Sequence, residues 1–238
     1  MTVPQTVVAI LVVTAGSVVQ GSVGFGLGIL AAPVLLLIEP TLVPGPLLLA
    51  ALVLTLLLAG REWRAIRFRD LGWSLPGRVV GTAAAATLLK VMPAERVGLA
   101  VAVLILASVA LSATGLHLDP KPPALLGAGA LAGLLGAATS TGGPPIAMLY
   151  QRENGPSARG TLSAFFVVGV VISLTGLAAV GRFGMAEVRL TGGLLPGVLI
   201  GFLVSRRTAR LLDRGYTRPT ILALSALAGL IAIVDQLR

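Results

Sequence analysis

The chain contains no cysteine and one histidine, and only 11% of its 238 residues carry a charge. Without cysteine, disulfides, thiolate metal sites and thiol nucleophiles are excluded. A soluble domain of this size would contain about a quarter charged residues, whereas 56% of this chain is hydrophobic. Several uncharged stretches reach the ~20 residues that cross a hydrocarbon core. The sequence therefore predicts an all-α, polytopic membrane protein.

Catalytic and metal-binding side chains are also scarce. His117 lies in a short polar link, and the nine carboxylates fall in links or at the ends of apolar stretches. We therefore expect no catalytic residue, no metal, no cofactor and no enzyme activity. A membrane-embedded enzyme using unassisted Ser or Thr, or a purely structural membrane protein, stays open as an alternative. The net charge of +9 arises in loops between spans, which the positive-inside rule explains without a nucleic acid partner.

The most unusual stretch is Gln20–Gly28, which has four glycines in nine residues inside a run of 38 residues without a charge. Each glycine costs roughly 1 kcal/mol in a helix interior relative to alanine. The sequence therefore predicts a helix break at membrane depth. Non-helical backbone is tolerated there only where protein or a water-filled cavity satisfies its polar groups, so the stretch is a candidate binding site.

The second half of the chain repeats this arrangement. The uncharged run 122–150 is broken by Thr139-Ser140-Thr141-Gly142-Gly143-Pro144-Pro145, and the two broken runs align with an offset near 116 residues. In addition, the Leu-Pro-Gly-x-x-x-Gly motif at 75–81 recurs at 195–201, 120 residues later. Internal symmetry with interrupted apolar segments at matching positions indicates the binding site of a transporter.

These features predict one membrane domain made of two inverted repeats, each with a broken, re-entrant helix pair followed by three transmembrane helices. The first repeat, residues 1–119, has its broken helix at 5–38 and spans at about 47–60, 71–89 and 97–116. The second repeat, residues 120–238, has its broken helix at 122–150 and spans at about 161–180, 190–204 and 219–234.

The distribution of Lys and Arg favours this arrangement. If each broken run crossed the membrane once, the loops on the two sides would hold nine and eight basic residues. If each is a hairpin, the side of the second loop holds Arg61, Arg64, Arg67, Arg69, Lys121, Arg152, Arg159, Arg206, Arg207, Arg210, Arg214 and Arg218. The other side then keeps only Lys90, Arg96, Arg182, Arg189 and Arg238. Twelve against five is the asymmetry of a cell-membrane protein, and it places both termini outside the cytoplasm.

The glycine-rich stretches resemble a known family. Gln20–Gly28 followed by Pro33 is similar to the first signature of the TauE/SafE sulfite exporter family, and Gly136–Pro145 is similar to the second. One departure is Ser140, where the family commonly has glycine. The resemblance covers essentially the whole chain and implies export of small sulfur-containing anions such as sulfite or sulfoacetate.

Successive glycines allow backbone N–H groups to point at a ligand, and a half-helix that begins after a break adds a positive dipole end. Two such breaks suit a small oxyanion, with the lipid bilayer as the other partner. A carboxylate or a neutral solute stays open as the substrate, and no feature argues for or against a homodimer. The candidate substrate-binding residues are Gln20, Gly21, Ser22, Gly24, Phe25, Gly26, Thr139, Ser140, Thr141, Gly142, Gly143, Pro144 and Arg78.

Each candidate also has a structural interpretation. The glycines can serve close helix packing, Phe25 can pack in the core, and Ser or Thr hydroxyls can bond to carbonyls of their own helix. Arg78, the only charge well inside a predicted span, can either face the substrate or snorkel to the interface.

Overall fold

The computed structural model describes residues 2–153 and 155–212, and all regular structure in these ranges is helical. The ten α-helices of the described residues are α1 (Val3–Val23), α2 (Leu27–Ile38), α3 (Gly45–Arg61), α4 (Phe68–Val91), α5 (Ala94–Ala113), α6 (Pro122–Thr139), α7 (Gly143–Ala147), α8 (Gly155–Ala179), α9 (Met185–Gly192) and α10 (Leu195–Leu212).

Four of these helices, α1, α5, α6 and α8, are long and apolar enough to cross a membrane. A fifth span results if α9 and α10, which are bent by 52° at their junction, are counted as one. Helices α2 and α3 are apolar but shorter. The chain is thus an all-helical, multi-pass membrane protein, as its composition predicts.

Most predicted spans coincide with single helices. The spans predicted at 47–60 and 71–89 lie within α3 and α4. Helices α8 and α5 end at Ala179 and Ala113, before the ends of the spans predicted at 161–180 and 97–116. The span predicted at 190–204 is divided between α9 and α10. Pro196 lies in the first turn of α10, where its missing N–H is tolerated, whereas Pro76 of the matching motif lies inside the continuous helix α4. The span predicted at 219–234 lies outside the described residues.

The first break is shorter than the sequence predicts. Helix α1 continues through Val23, so the expected loss of helix from Gln20 onwards is wrong for its first four residues. Only Gly24–Gly26 leave the helix, with φ of +103° at Gly24 and +137° at Gly26. Gly21 lies inside α1 and leaves room for α10, because a Cβ at this position would lie 2.3 Å from the Ser205 hydroxyl. Close packing therefore offsets the helix-propensity cost of this glycine.

Both broken runs fold back on themselves. Helix α2 runs antiparallel to α1: Leu27 packs on Gly16, and the Gln5 side chain donates to the Ile38 carbonyl at 3.3 Å. In the second run, the Leu118 N–H before α6 donates to the Met148 carbonyl beyond α7, at 3.4 Å. Each run therefore ends beside its own beginning.

The recurring Leu-Pro-Gly-x-x-x-Gly motifs pack crosswise between the two halves. A Cβ at Gly81 of α4 would lie 1.9 Å from the Ala130 carbonyl oxygen of α6, and a Cβ at Gly201 of α10 would lie 2.7 Å from that of Thr14 in α1. Each motif thus permits backbone contact with the broken helix of the other half. Between these two pairs, α3 packs against α8.

Candidate functional site

A small cavity with a volume of about 40 Å³ lies where the two breaks meet. Both breaks, α3, α4 and α8 contribute to its walls. It is lined by Gln20, Phe25, Gly26, Gly28, Ile29, Leu48, Ala51, Thr55, Arg78, Gly136, Ser140, Thr141, Gly142, Gly143, Phe166 and Val170. The two glycine-rich stretches, 116 residues apart in sequence, therefore share one site.

The breaks touch through their backbones. A Cβ at Gly28 would lie 1.8 Å from the Ser140 carbonyl oxygen, and a Cβ at Gly143 would lie 3.1 Å from Phe25. Ser140 ends α6 in the left-handed conformation, with φ of 63°, and its hydroxyl donates to the Pro44 carbonyl at 3.0 Å. This serine thus anchors the second break to the segment before α3.

Among the described residues, Arg78 is the only charged one in the wall of the cavity, and its side chain is 1% exposed. Its guanidinium donates to the Gly169 carbonyl at 3.2 Å, to the Ser173 hydroxyl at 3.0 Å and to the Ala132 carbonyl. No carboxylate in the described part of the chain pairs with it. The guanidinium therefore points into the protein, and the snorkelling interpretation is wrong.

Three glycines leave room for this guanidinium. A Cβ would lie 2.7 Å from Arg78 Nη1 at Gly136, 2.9 Å from the same nitrogen at Gly142, and 2.8 Å from Nε at Gly169. Gly136 and Gly142 belong to the second glycine-rich motif, whereas nothing in the sequence around Gly169 indicates this role. The second motif thus has a function that its sequence does not reveal, namely to enclose a cation contributed by α4.

Gln20 connects α1 to the start of α2. Its side-chain Oε1 accepts the Leu27 N–H at 3.1 Å, which satisfies the first of the orphan donors at this helix end. The next two residues of α2, Gly28 and Ile29, line the cavity. The cavity thus receives the positive end of the α2 dipole, equivalent to about half an elementary charge, in addition to Arg78.

Five of the predicted site residues do not line the cavity. The Ser22 hydroxyl donates to the Val18 carbonyl at 2.7 Å, and the Thr139 hydroxyl donates to the Leu135 carbonyl at 2.6 Å. Both hydroxyls therefore bond to carbonyls of their own helix, as the structural interpretation of these residues predicts. Gly21 permits close helix packing, Gly24 forms the turn, and Pro144 is the second residue of α7. The lining residues Thr55, Phe166 and Val170 lie on α3 and α8 and carry no motif, which is why sequence reasoning missed them.

One carboxylate is buried elsewhere. Asp70, predicted to lie in a link, is in the first turn of α4 and is 6% exposed. It accepts from the Tyr150 hydroxyl at 3.0 Å and pairs with Arg67 at 3.1 Å. This cluster fixes the turn after α7 to the start of α4 and contributes no residue to the cavity wall.

An all-helical membrane chain with a small cavity enclosed between two helix breaks has the build of a membrane carrier. The family model described as Sulfite exporter TauE/SafE matches residues 8–231, nearly the whole chain. A search of curated proteins and a search of solved structures each found no match. The chain therefore belongs to the sulfite exporter TauE/SafE family, and the resemblance based on the two glycine-rich motifs is confirmed. Membership makes it a membrane transporter and not an enzyme.

The contact between the breaks leads to a stability prediction. We expect Gly28→Ala to destabilise the fold by about 1–3 kcal/mol, because its Cβ would collide with a backbone carbonyl that cannot rotate away. Thermal unfolding of the purified protein in detergent measures the effect. Gly127→Ala on α6 is the matched control, since a Cβ there has nothing within 4 Å. Equal midpoints for the two variants would contradict the contact.

Proposed function

We propose that the cavity between the two breaks binds a small sulfur oxyanion, sulfite or an organic relative, during its export. The observation that carries this proposal is Arg78, a fully buried cation without a carboxylate partner in the described residues. An uncompensated buried charge costs several kcal/mol. An ionisable residue inside a membrane protein is a functional site by default, and a transported anion supplies the missing charge.

The donors around the cavity match such a ligand. The Arg78 guanidinium has five N–H donors, of which four donate to Gly169, Ser173 and Ala132, which leaves one N–H on Nη1 for a ligand. The α2 N-terminus adds backbone N–H groups at Gly28 and Ile29. The cavity has a volume of about 40 Å³, which exceeds the roughly 10–15 Å³ needed for a single water, so it has room for a small ion of a few heavy atoms. An anion with three or four oxygens satisfies both conditions.

The cavity also has an apolar side, which bears on the substrate. Leu48, Phe166 and Val170 form part of the wall, so a short carbon chain attached to the anion, as in sulfoacetate, has a surface to contact. A small carboxylate is the second candidate because it is also an oxyanion that a guanidinium N–H can bind. A neutral solute fits less well, since it would leave the charge of Arg78 uncompensated.

We further propose that the chain consists of two inverted repeats around this site. The crosswise packing of α1 with α10 and of α4 with α6, and the return of each broken run to its own beginning, support the proposal. In carriers of this kind the substrate lies near the midplane at the repeat interface, and rocking of the repeats alternates its access.

The hairpin form of the broken runs supports the topology in which Lys and Arg are distributed unequally between the two sides of the membrane. We therefore expect both termini of this cell-membrane protein outside the cytoplasm. Because the chain has no cysteine, single Thr2→Cys and Arg64→Cys variants can be labelled with an impermeant maleimide in spheroplasts. Thr2→Cys should react in intact spheroplasts and Arg64→Cys only after permeabilisation. The reverse pattern would overturn the orientation. The C-terminal Arg238 lies outside the described residues and is tested with a tag.

Transport should depend on Arg78. We expect Arg78→Gln to lower sulfite flux in proteoliposomes at least tenfold, since the variant keeps polarity but loses the charge that compensates the anion. Arg182→Gln is the matched control, because Arg182 also donates to a carbonyl, that of Leu89 at 3.0 Å, but lies outside the cavity wall. Competition of labelled sulfite with sulfoacetate and acetate then ranks the substrates. Flux that survives Arg78→Gln in a folded protein argues against the site.

The membrane potential is a sufficient driving force. No carboxylate lines the cavity, so the described residues provide no proton relay of the usual kind at the site. Moving one negative charge out of an inside-negative cell gains about 2.3 kcal/mol per 100 mV. Sulfite efflux from vesicles should therefore rise when an inside-negative potential is imposed with a potassium gradient and valinomycin. Efflux indifferent to the potential would rule out electrogenic export.

A further inference from the structure

The hydroxyl groups in the cavity wall use their protons within the protein. The Thr55 hydroxyl donates to the Ala51 carbonyl at 2.8 Å, four residues earlier in α3, and the Ser140 hydroxyl donates to the Pro44 carbonyl at 3.0 Å. A carbonyl oxygen only accepts, so the hydroxyl must be the donor in both bonds. Because a hydroxyl has a single proton, these two groups can offer a ligand only their lone pairs.

The hydroxyl of Thr141 is in the same position. The Thr139 hydroxyl donates its proton to the Leu135 carbonyl at 2.6 Å, so it can only accept in its bond with the Thr141 hydroxyl. Thr141 is therefore the donor in that pair. Among the described residues, Thr55, Ser140 and Thr141 are the hydroxyl-bearing members of the cavity wall, and each presents a hydrogen-bond acceptor to a ligand.

Other groups in the wall present donors. The Leu27 N–H can only donate, so Oε1 of Gln20 faces it at 3.1 Å and the two N–H groups of Nε2 point elsewhere. No described residue accepts from this Nε2, and Gln20 is 5% exposed in the cavity wall. Together with the remaining N–H of Arg78, the cavity therefore offers a ligand both N–H donors and hydroxyl acceptors.

This mixture fits an oxyanion that keeps one proton. A fully ionised oxyanion has only acceptor oxygens, which would face the hydroxyl lone pairs or force the hydroxyl protons away from their carbonyls. A monoprotonated oxyanion has acceptor oxygens for the N–H groups and one O–H for a hydroxyl. Its single charge also matches Arg78, whereas a dianion would leave one buried charge uncompensated.

Thr55 is the best placed of the three acceptors. Leu48, Ala51 and Thr55 all line the cavity, and their spacing puts them on one face of α3. Its hydroxyl bonds only to carbonyls of its own helix, those of Ala51 and Leu52, so it joins no two segments of the chain. The hydroxyls of Ser140 and Thr141, in contrast, hold the second break in shape. Packing would be satisfied equally by valine at position 55, which leaves the hydroxyl without a structural purpose.

We propose that the cavity selects the monoprotonated form of its oxyanion, hydrogen sulfite in its O–H form, with Thr55 accepting the ligand proton in a hydrogen bond and Gln20 and Arg78 donating to the ligand oxygens. The inference rests on the proposed function and names the ionic form that this site takes. The proton then travels with the substrate, so export needs no carboxylate relay, and each ion still carries one negative charge outward.

The pH dependence of binding tests the ionic form. The full chain in detergent is titrated calorimetrically with sodium sulfite and with sodium selenite, which holds its last proton to higher pH. We expect the dissociation constant for total sulfite to stay level while the ligand is protonated. It should rise about tenfold for each further pH unit, because the competent fraction falls. The selenite profile should have the same shape at higher pH.

The shift between the two profiles assigns the proton to the ligand. Arg78 is the only ionisable group among the described residues of the wall, and an arginine keeps its charge. A group of the protein would give both ligands the same midpoint, which would overturn the inference. Binding that strengthens as the ligand loses its last proton would also overturn it, since the site would then take the dianion, but would retain the proposed function.

Thr55→Val tests the acceptor. We expect it to weaken binding about tenfold where the ligand is protonated, because the ligand O–H loses its partner. Binding of the dianion should suffer less, so the pH profile should flatten, and Thr55→Ser should restore the parent profile. Thr14→Val is the matched control, since the Thr14 hydroxyl also donates to a carbonyl four residues earlier, at 2.7 Å, but lies outside the cavity wall.

The outcomes separate the two proposals. A Thr55→Val profile equal to that of Thr14→Val rejects Thr55 as the acceptor of the ligand proton. Saturable sulfite binding that persists in Thr55→Val with a flat pH profile supports the inference. Absence of saturable binding of either ligand to the parent at any pH rejects the proposed function together with the inference.

Discussion

The structure depends on one constraint: backbone that leaves a helix at membrane depth must find its partners within the protein. The second break satisfies it through side chains, since the Ser108 hydroxyl donates to the Thr141 carbonyl at 2.7 Å. The first satisfies it through Gln20, whose side chain accepts the first N–H of α2. Because these partners lie on α5 and α1, each break is completed only when the helix that carries its partner packs against it.

The same constraint explains why the glycines occur where they do. Gly28 permits the breaks to touch, Gly81 and Gly201 permit backbone contact between the halves, and Gly136, Gly142 and Gly169 surround a guanidinium. Without glycine at these positions a Cβ would enter space occupied by a carbonyl or by Arg78. At these positions glycine therefore permits close contact between segments. Of the glycines in the breaks, only Gly24 and Gly26 use a positive φ.

Much of this was predictable from the sequence, for identifiable reasons. The long uncharged stretches predict a membrane protein, and the glycine-rich motifs predict two helix breaks and membership of the TauE/SafE family. These features are predictable because each depends on a short, local stretch of sequence. The wall formed by Thr55, Phe166 and Val170 was not predictable, since helices α3 and α8 look like any apolar helix until their faces are placed against the breaks. The inward direction of Arg78 depends on Gly169, 91 residues away, which no local pattern reveals.

The two halves differ at the proposed binding site. The caps equate Gln20 with Gly136, and the Leu-Pro-Gly motifs equate Arg78 with the buried Val198. One half therefore contributes a neutral amide from its broken helix, and the other contributes a cation from the helix packed against it. A symmetric pair of arginines would hold an anion between two buried charges. Since a carrier must bind its substrate weakly enough to release it, a single charge shared with an amide and a helix end is consistent with the proposed site, from which the anion would have to leave.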